Sequence, residues 1–516
     1  MLHAKFFFAS LMACVLVLGG CSNTDTDARS APDSEELAAS ENQQPLETRP
    51  PIPSPPENSE HGYLVDDSRI PYIETCEEWK NFWIFSGPAV SFEVASKYPE
   101  LIDLEVSTQI FVKNIHLDPD KNGVICFEDG IARETNDVLP AGTNDSRNRI
   151  DTAECRLAGP GLGVGFPRPD GYLRATGRLE AVMIFVEFEN VKVDEDIQVE
   201  ARSYYEGFTD FVSRQSGGRQ QWSFTVPDQV FEISKSSEAY RADFTDPDFG
   251  NPDFAQYFQD AVDAADASVD FSLYDAVFVI PPKNIGSSIS YGPSFPRLSE
   301  GFITSAEGSI PSGATAGNDS RLGKNSEPWV WLAHETGHLY GLSHPLDEMG
   351  NTDEFGRVLA DSNFPELYDL MTWMSTPSPD FWAWNKFWLG WLDEGQVFCT
   401  EAGAGSGETL VHLTFNDREQ ISGEIAMVVI PTSETTAIAI ESRNLGFESR
   451  TLVYSVDTTK QDREGQIKIV AANQERIQGW LDGGIRVGKT LEHDGREFTV
   501  VQDTSRGVVV KISSTD

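Results

Sequence analysis

One short stretch gathers three histidines and a glutamate: His334-Glu335-Thr336-Gly337-His338-Leu339-Tyr340-Gly341-Leu342-Ser343-His344. Residues four apart on a helix lie one above the other on the same face. A helix here turns the imidazoles of His334 and His338 toward one point, with Glu335 beside them, roughly 100° around the axis. Gly341 stands where a helix needs a residue tolerant of positive φ to end sharply. That break lets the chain turn back and deliver His344 as a third nitrogen. Three nitrogens leave the fourth position of a tetrahedral Zn²⁺ to water, which is the donor set of a catalytic zinc site rather than a structural one. The whole chain has 8 histidines, so three within so short a span are poorly explained as unrelated surface residues. The expected helix also has a plausible start, with Ser326 as N-cap, Glu327 at the positive end of the dipole and Pro328 in the first turn. Trp329, Val330, Leu332 and Leu339 supply its buried flank.

The chemistry follows from the donors. A zinc ion lowers the pKa of coordinated water toward about 7. Glu335 is the expected general base, taking the proton as water attacks a carbonyl and passing it to the leaving group, a contribution typically of about 10²–10⁴-fold. His334, His338 and His344 are the expected metal ligands. Carboxylates or carbonyls should hold their outer nitrogens. Asp347, Glu348 and Asp369 are nearby in sequence, but for each alone a solvated acidic loop is the favoured reading.

Downstream, Tyr368-Asp369-Leu370-Met371-Thr372 resembles the Met-turn of the metzincins, in which a methionine forms an apolar floor beneath the zinc ligands. Ala383-Trp384-Asn385-Lys386-Phe387-Trp388-Leu389-Gly390-Trp391-Leu392 resembles the segment that follows this turn in M6, or immune inhibitor A-like, metallopeptidases. Cys155-Arg156-Leu157, Gly165-Phe166-Pro167-Arg168-Pro169 and the apolar run Ala181–Phe188 resemble the opening of M6 catalytic domains. The resemblance spans roughly residues 150 to 400. It implies an α+β (α/β) metzincin-type zinc peptidase domain with one catalytic Zn²⁺, acting on protein or peptide substrates. The pattern departs at Trp373, where some metzincins carry a tyrosine as fifth ligand or transition-state stabiliser; Tyr368, another group or none fills that role.

The N-terminus reads as an export signal. Lys5 precedes an apolar stretch from Phe6 to Leu18, too short to span a bilayer. Leu18-Gly19-Gly20-Cys21 matches a bacterial lipobox, making Cys21 the expected lipidated residue and membrane anchor of an exported cell-envelope lipoprotein, at the outer membrane or cell surface or released from it. The alternative is ordinary secretory cleavage with Cys21 spare. Residues 21–68, rich in Ser, Asp, Glu and Pro, lack the apolar area to offset ordering entropy and read as a tether.

The formal charge is −43, from 39 basic and 82 acidic residues. Phosphate binding needs a basic surface, so nucleic acid is excluded as an expected partner. A calcium site has a specific candidate in Asp118-Pro119-Asp120-Lys121-Asn122-Gly123-Val124, the first half of an EF-hand-type loop. Asp118, Asp120, Asn122 and the Val124 carbonyl are its expected ligands, with Glu128 or Asp129 closing it in place of the usual bidentate Glu. With Cys76 and Cys126, this segment resembles the small extracellular excalibur module, except that Phe127 intervenes between the cysteine and Glu128. An Asx-rich turn without an ion is the alternative.

Four cysteines remain beyond the leader, Cys76, Cys126, Cys155 and Cys399, and an exported setting permits disulfides. Of the three pairings, Cys76–Cys126 and Cys155–Cys399 are favoured. A rival reading makes Cys155 a thiolate switch on the zinc.

Helical spacing marks 197–215 and 253–268, and short β-rich runs mark 181–188 and 274–281. Ser287 to Tyr291 is the expected edge strand, against which substrate would pair. Runs at 425–430, 436–441, 466–471 and 507–512 suggest a β-sandwich-like C-terminal domain. The expected layout is a signal at 1–20, the tether at 21–68, a small module at 69–149, the peptidase domain at 150–399 and the β-domain at 400–516, in a monomer. Two function classes stand: a zinc endopeptidase, or a catalytically silent peptidase-fold protein that binds calcium or an extracellular partner.

Overall fold

In this computed structural model the described residues are 135–515, apart from 241–251, 291, 299, 322–326, 346–367, 373–379, 402–406, 445–448 and 471–482, with four short strands nearer the N-terminus. Two of those strands, Ile115–Asp118 and Val124–Phe127, pair antiparallel with Asp118 opposite Val124. Cys21, Cys76, Asp120, Asn122, Glu128 and Asp129 lie outside the described residues.

Strand β1 (Gly177–Phe188) is the spine of the first layer. Helix α1 (Ile197–Gln215) follows, then β2 (Gln220–Thr225), β3 (Phe231–Ile233), helix α2 (Pro252–Ala265), β4 (Ala276–Ile280), β5 (Ser294–Phe295) and β6 (Gly313–Thr315). The sheet runs β2-β1-β4-β6-β5, with β3 also paired to β1. Its inner pairings are parallel, and only β5 runs antiparallel, at the edge. Both faces are covered, which is why β1 reads as an almost unbroken apolar run. Leu179, Ala181, Met183 and Phe185 face α1 and the metal-motif helix, whereas Val182, Ile184, Val186 and Phe188 face α2.

The described part of the expected edge strand, Ser287–Ser290, does not form a strand of this sheet, and Tyr291 lies outside the described residues. Gly286–Ser288 forms a 3₁₀ turn with Gly286 at φ +61, and Ile289 is buried. Gly292 lies so close to the Thr315 carbonyl that no side chain would fit. The chain becomes extended beside β6 only past Pro293, whose carbonyl accepts from Thr315 N–H at 3.0 Å.

Helix α3 (Pro328–Tyr340) carries the motif, and α4 (Ala383–Trp388) follows it. Glu327, not Ser326, occupies the N-cap position of α3, because Pro328 is already its first residue; Ser326 lies outside the described residues.

Beyond α4 the chain is all β. Strands β7 (Val397–Cys399), β8 (Thr409–Thr414), β9 (Met427–Pro431), β10 (Thr436–Asn444), β11 (Ser449–Asp457), β12 (Ile467–Ile469), β13 (Thr490–His493), β14 (Arg496–Asp503) and β15 (Gly507–Ser514) form two sheets. Their orders are β7-β9-β10-β11-β12 and β8-β15-β14-β13. Val428, Ile430, Ile438 and Ile440 of the first sheet meet Val411, Phe498, Val508 and Val510 of the second in one core.

The opposite face of the five-stranded sheet is buried too. Met427, Val429, Ala437 and Ala439 pack with Trp382, Trp384, Phe387 and Tyr368. One hydrophobic core thus continues across residue 400, and the small alanines of β10 leave room for the tryptophans. The Cys155–Cys399 disulfide sits in that same core, with Cα atoms 5.9 Å apart. Cys155 is therefore no thiolate switch. Among the described residues no helix is long and apolar enough to cross a membrane.

Candidate metal centre

Helix α3 is buried on nearly every side, Trp331, Leu332, Ala333 and Tyr340 included, so its axis is held by packing rather than by propensity. It ends as the motif requires. Gly341 adopts φ +95, its N–H and that of Leu342 close the last turn onto His338 and Gly337, and the Tyr172 ring stands where a side chain would go.

His334, His338 and His344 each offer a ligand nitrogen, all within 4.8 Å of one another. The outer nitrogen of each ring is engaged. His334 Nδ1 lies 2.7 Å from the Leu370 carbonyl and His338 Nδ1 lies 2.9 Å from the Leu342 carbonyl. Both therefore carry their proton on Nδ1 and turn an unprotonated Nε2 inward. His344 Nδ1 lies 3.2 Å from Asp462 Oδ1, which also accepts the His344 backbone N–H at 2.7 Å. Burial, helped by the charge of neighbouring histidines, pushes His334 down to about 3 and His338 well below its ordinary value, so both rings are neutral donors at pH 7.

Glu335 is buried, with Oε1 3.9 Å from His334 Nε2. Burial raises its carboxyl well above the usual range, the nearby Asp319 carboxyl adds to that, and the hydroxyl and amide of Ser294 on β5 donate to it in partial compensation. Its Oε2 has no hydrogen-bond partner among the described residues. Asp319 is itself pushed up to about 7 by burial, although the amides of Gly292, Gly317 and Ser320 donate to it. Three convergent imidazole nitrogens and the adjacent carboxyl of Glu335 fit a divalent metal ion with a bound water.

Met371 lies directly against this helix. Its Sδ fills the space that a side chain at Gly337 would need, and the preceding residue supplies the carbonyl to His334. Asp369 is buried, but its carboxylate holds none of the three rings; Asp347, Glu348 and Trp373 lie outside the described residues. Tyr368 is packed in the core, 6.5 Å from Trp382 between ring centroids. The segment after it clamps a glycine-rich loop. Asn385 Nδ2 donates to Gly163 O, and the indoles of Trp384 and Trp388 donate to Val164 O and Gly165 O, at 2.7–3.0 Å.

Asp462, Ser294 and Asp319 were not legible as site residues. Asp462 lies 118 residues beyond the ligand it touches, in a stretch with no motif. Ser294 carries no signal except its closeness to the expected edge strand.

No protein-family model and no curated protein matches this chain. Among solved structures, metalloproteinase-II from Bacteroides fragilis aligns with 44% of this chain and 56% of its own length, at 15% identity and a TM-score of 0.21. The alignment thus spans about half of that protein, and a superposition so loose does not define a shared fold.

Proposed function

We propose that this chain is a zinc-dependent endopeptidase of the metzincin type, similar to the M6 enzymes. The observation that carries the reading is the convergence of three imidazoles within 4.8 Å, each with its outer nitrogen engaged, beside Glu335 with one open oxygen. When bound, Zn²⁺ supplies Lewis-acid polarisation of a carbonyl and an acidified water. His334, His338 and His344 hold the ion. Glu335 takes the proton of the attacking water on its open oxygen and delivers it to the leaving amine. Burial suits it to that task, because a carboxyl raised well above the usual range is a stronger base than a solvated glutamate. Strand β5, antiparallel at the sheet edge and tied to Glu335 through Ser294, is the natural rail for an extended peptide. The lipobox at Cys21 supports a site of action at the bacterial cell envelope, and the Asp118–Asp129 segment supports a structural Ca²⁺.

The test compares the purified wild type with Glu335→Gln on casein, with and without a chelator. Cleavage by the wild type alone, abolished by the chelator, is expected. Equal cleavage by both forms overturns the mechanism, and a zinc-loaded but inert wild type turns the reading into that of a silent binding protein.

A further inference from the structure

The connection between β11 and β12 reaches back to the metal motif from the C-terminal sheet. His344 is tied to this connection by two hydrogen bonds of its backbone: His344 N–H donates to Asp462 Oδ1 at 2.7 Å, and Arg463 N–H donates to His344 O at 3.0 Å. The same Asp462 oxygen takes the His344 ring nitrogen, so one carboxylate fixes both the backbone and the imidazole of the third ligand.

The connection is braced on every side. Ser343 Oγ lies 2.9 Å from Leu162 O and 2.5 Å from Gln466 Oε1, its single proton shared between the two acceptors, while Gln466 Nε2 donates to Leu162 O and Lys460 O, each at 3.0 Å. Gly159 and Gly161 lie so close to Thr458 and Lys460 that a side chain on either would collide with their backbone. Thr458 Oγ1 donates to Ala158 O at 2.8 Å. Arg463, at φ +60, turns its guanidinium back to within 3.6 Å of Asp462 Oδ2. Three distant stretches, 158–165, 341–344 and 458–466, thus converge behind one imidazole.

Why His344 needs this is a matter of where it sits. His334 and His338 ride on a buried helix, and their outer nitrogens meet carbonyls of their own neighbourhood. His344 follows the glycine that ends the helix, so its backbone lies beyond the hydrogen-bond ladder of α3, and its ring meets α3 through the His338 and His334 rings. A ligand on an unrestrained turn would lose conformational entropy on each metal-binding event.

We propose that Asp462 is a positioning residue of the metal centre, and that the C-terminal sheet is a working part of it. By accepting the Nδ1 proton, the carboxylate fixes the tautomer of His344, aims its Nε2 inward and raises its strength as a donor. The inference rests on the reading of the triad as a zinc site, but not on catalysis.

The experiment measures Zn²⁺ affinity of the full-length protein by competition with a chromophoric chelator, for wild type, Asp462→Ala, Asp462→Asn and Thr459→Ala. Thr459 belongs to the same connection, where its N–H and hydroxyl donate to Asp457, and it does not touch His344. Asp462→Ala should weaken zinc by about 10–100-fold, the usual cost of removing such an outer partner. Asp462→Asn, which keeps the acceptor without the charge, should recover part of that loss, and Thr459→Ala should bind as wild type does. Thermal melting of the zinc-free proteins separates loss of fold from loss of metal. Wild-type affinity in Asp462→Ala overturns the inference, as does an equal loss in Thr459→Ala. Wild type that binds zinc yet cleaves nothing overturns the proposed activity and leaves the inference standing.

Discussion

The sulfur of Met371 occupies the space in which a side chain at position 337 would stand, one helical turn from His334 and next to His338. Gly337 is thus demanded by contact, not by backbone geometry. Gly337→Ala must displace Met371 or tilt α3, since Phe381 closes the other side at 3.4 Å. Overpacking of a tight core costs typically about 1–3 kcal/mol. The expected result is a lowered melting temperature together with weaker zinc binding. Met371→Leu, of similar volume, should keep the fold, as calorimetry and metal titration would show.

The Cys155–Cys399 bridge closes a loop of 244 residues inside a buried core. By the chain-entropy relation a loop of that size stabilises by about 5 kcal/mol, strain aside. The double variant Cys155→Ala, Cys399→Ala should unfold at markedly lower denaturant concentration, and a reductant should not alter it further. An unchanged midpoint would show that packing alone holds these ends.

A buried ionic network links the layers behind the metal motif. Arg443 Nε donates to Glu441 Oε1 at 2.6 Å and Nη1 to Asp380 Oδ2 at 3.2 Å, while Arg214 reaches Asp380 Oδ1 at 3.1 Å. Arg443, Glu441 and Asp380 are all buried. Removing one member unbalances the buried network and strips a charged partner from the group it faced, so Asp380→Ala or Arg443→Ala should cost about 3–5 kcal/mol in chemical denaturation. A double-mutant cycle between positions 380 and 443 should show strong coupling.

Acid should weaken the metal-free protein. Burial holds His334 at about 3 and His338 well below the usual 6.5, so the unfolded chain binds these protons first. Stability from this source is full above about 6.5 and falls as pH drops through that value toward the folded-state pKa. Zinc competes with the same protons, so its apparent affinity should fall over the same window. Melting curves and zinc titrations between pH 8 and pH 5 check both signs.

The metal motif was legible because its spacing is local: four residues make one helical turn, and Gly341 makes one turn end. The strands of the first layer were equally legible, since a parallel sheet covered on both faces reads as runs such as Ala181–Phe188. The edge strand was displaced by several residues because a 3₁₀ turn at Gly286 and the close approach of Gly292 to Thr315 are tertiary facts. Asp462 was invisible for a stronger reason. A carboxylate in a loop reads as solvated surface until the fold brings it to His344. By itself the sequence determined the spacing of His334, His338 and His344, the place of Glu335 beside them and the turn at Gly341, all within a turn or two of the chain. Only the tertiary structure decided what holds the His344 ring and that the C-terminal sheet shares a core with Tyr368, Trp382 and Trp384. Those depend on close packing between segments far apart in the chain, 118 residues in the case of His344 and Asp462, and no local periodicity records that.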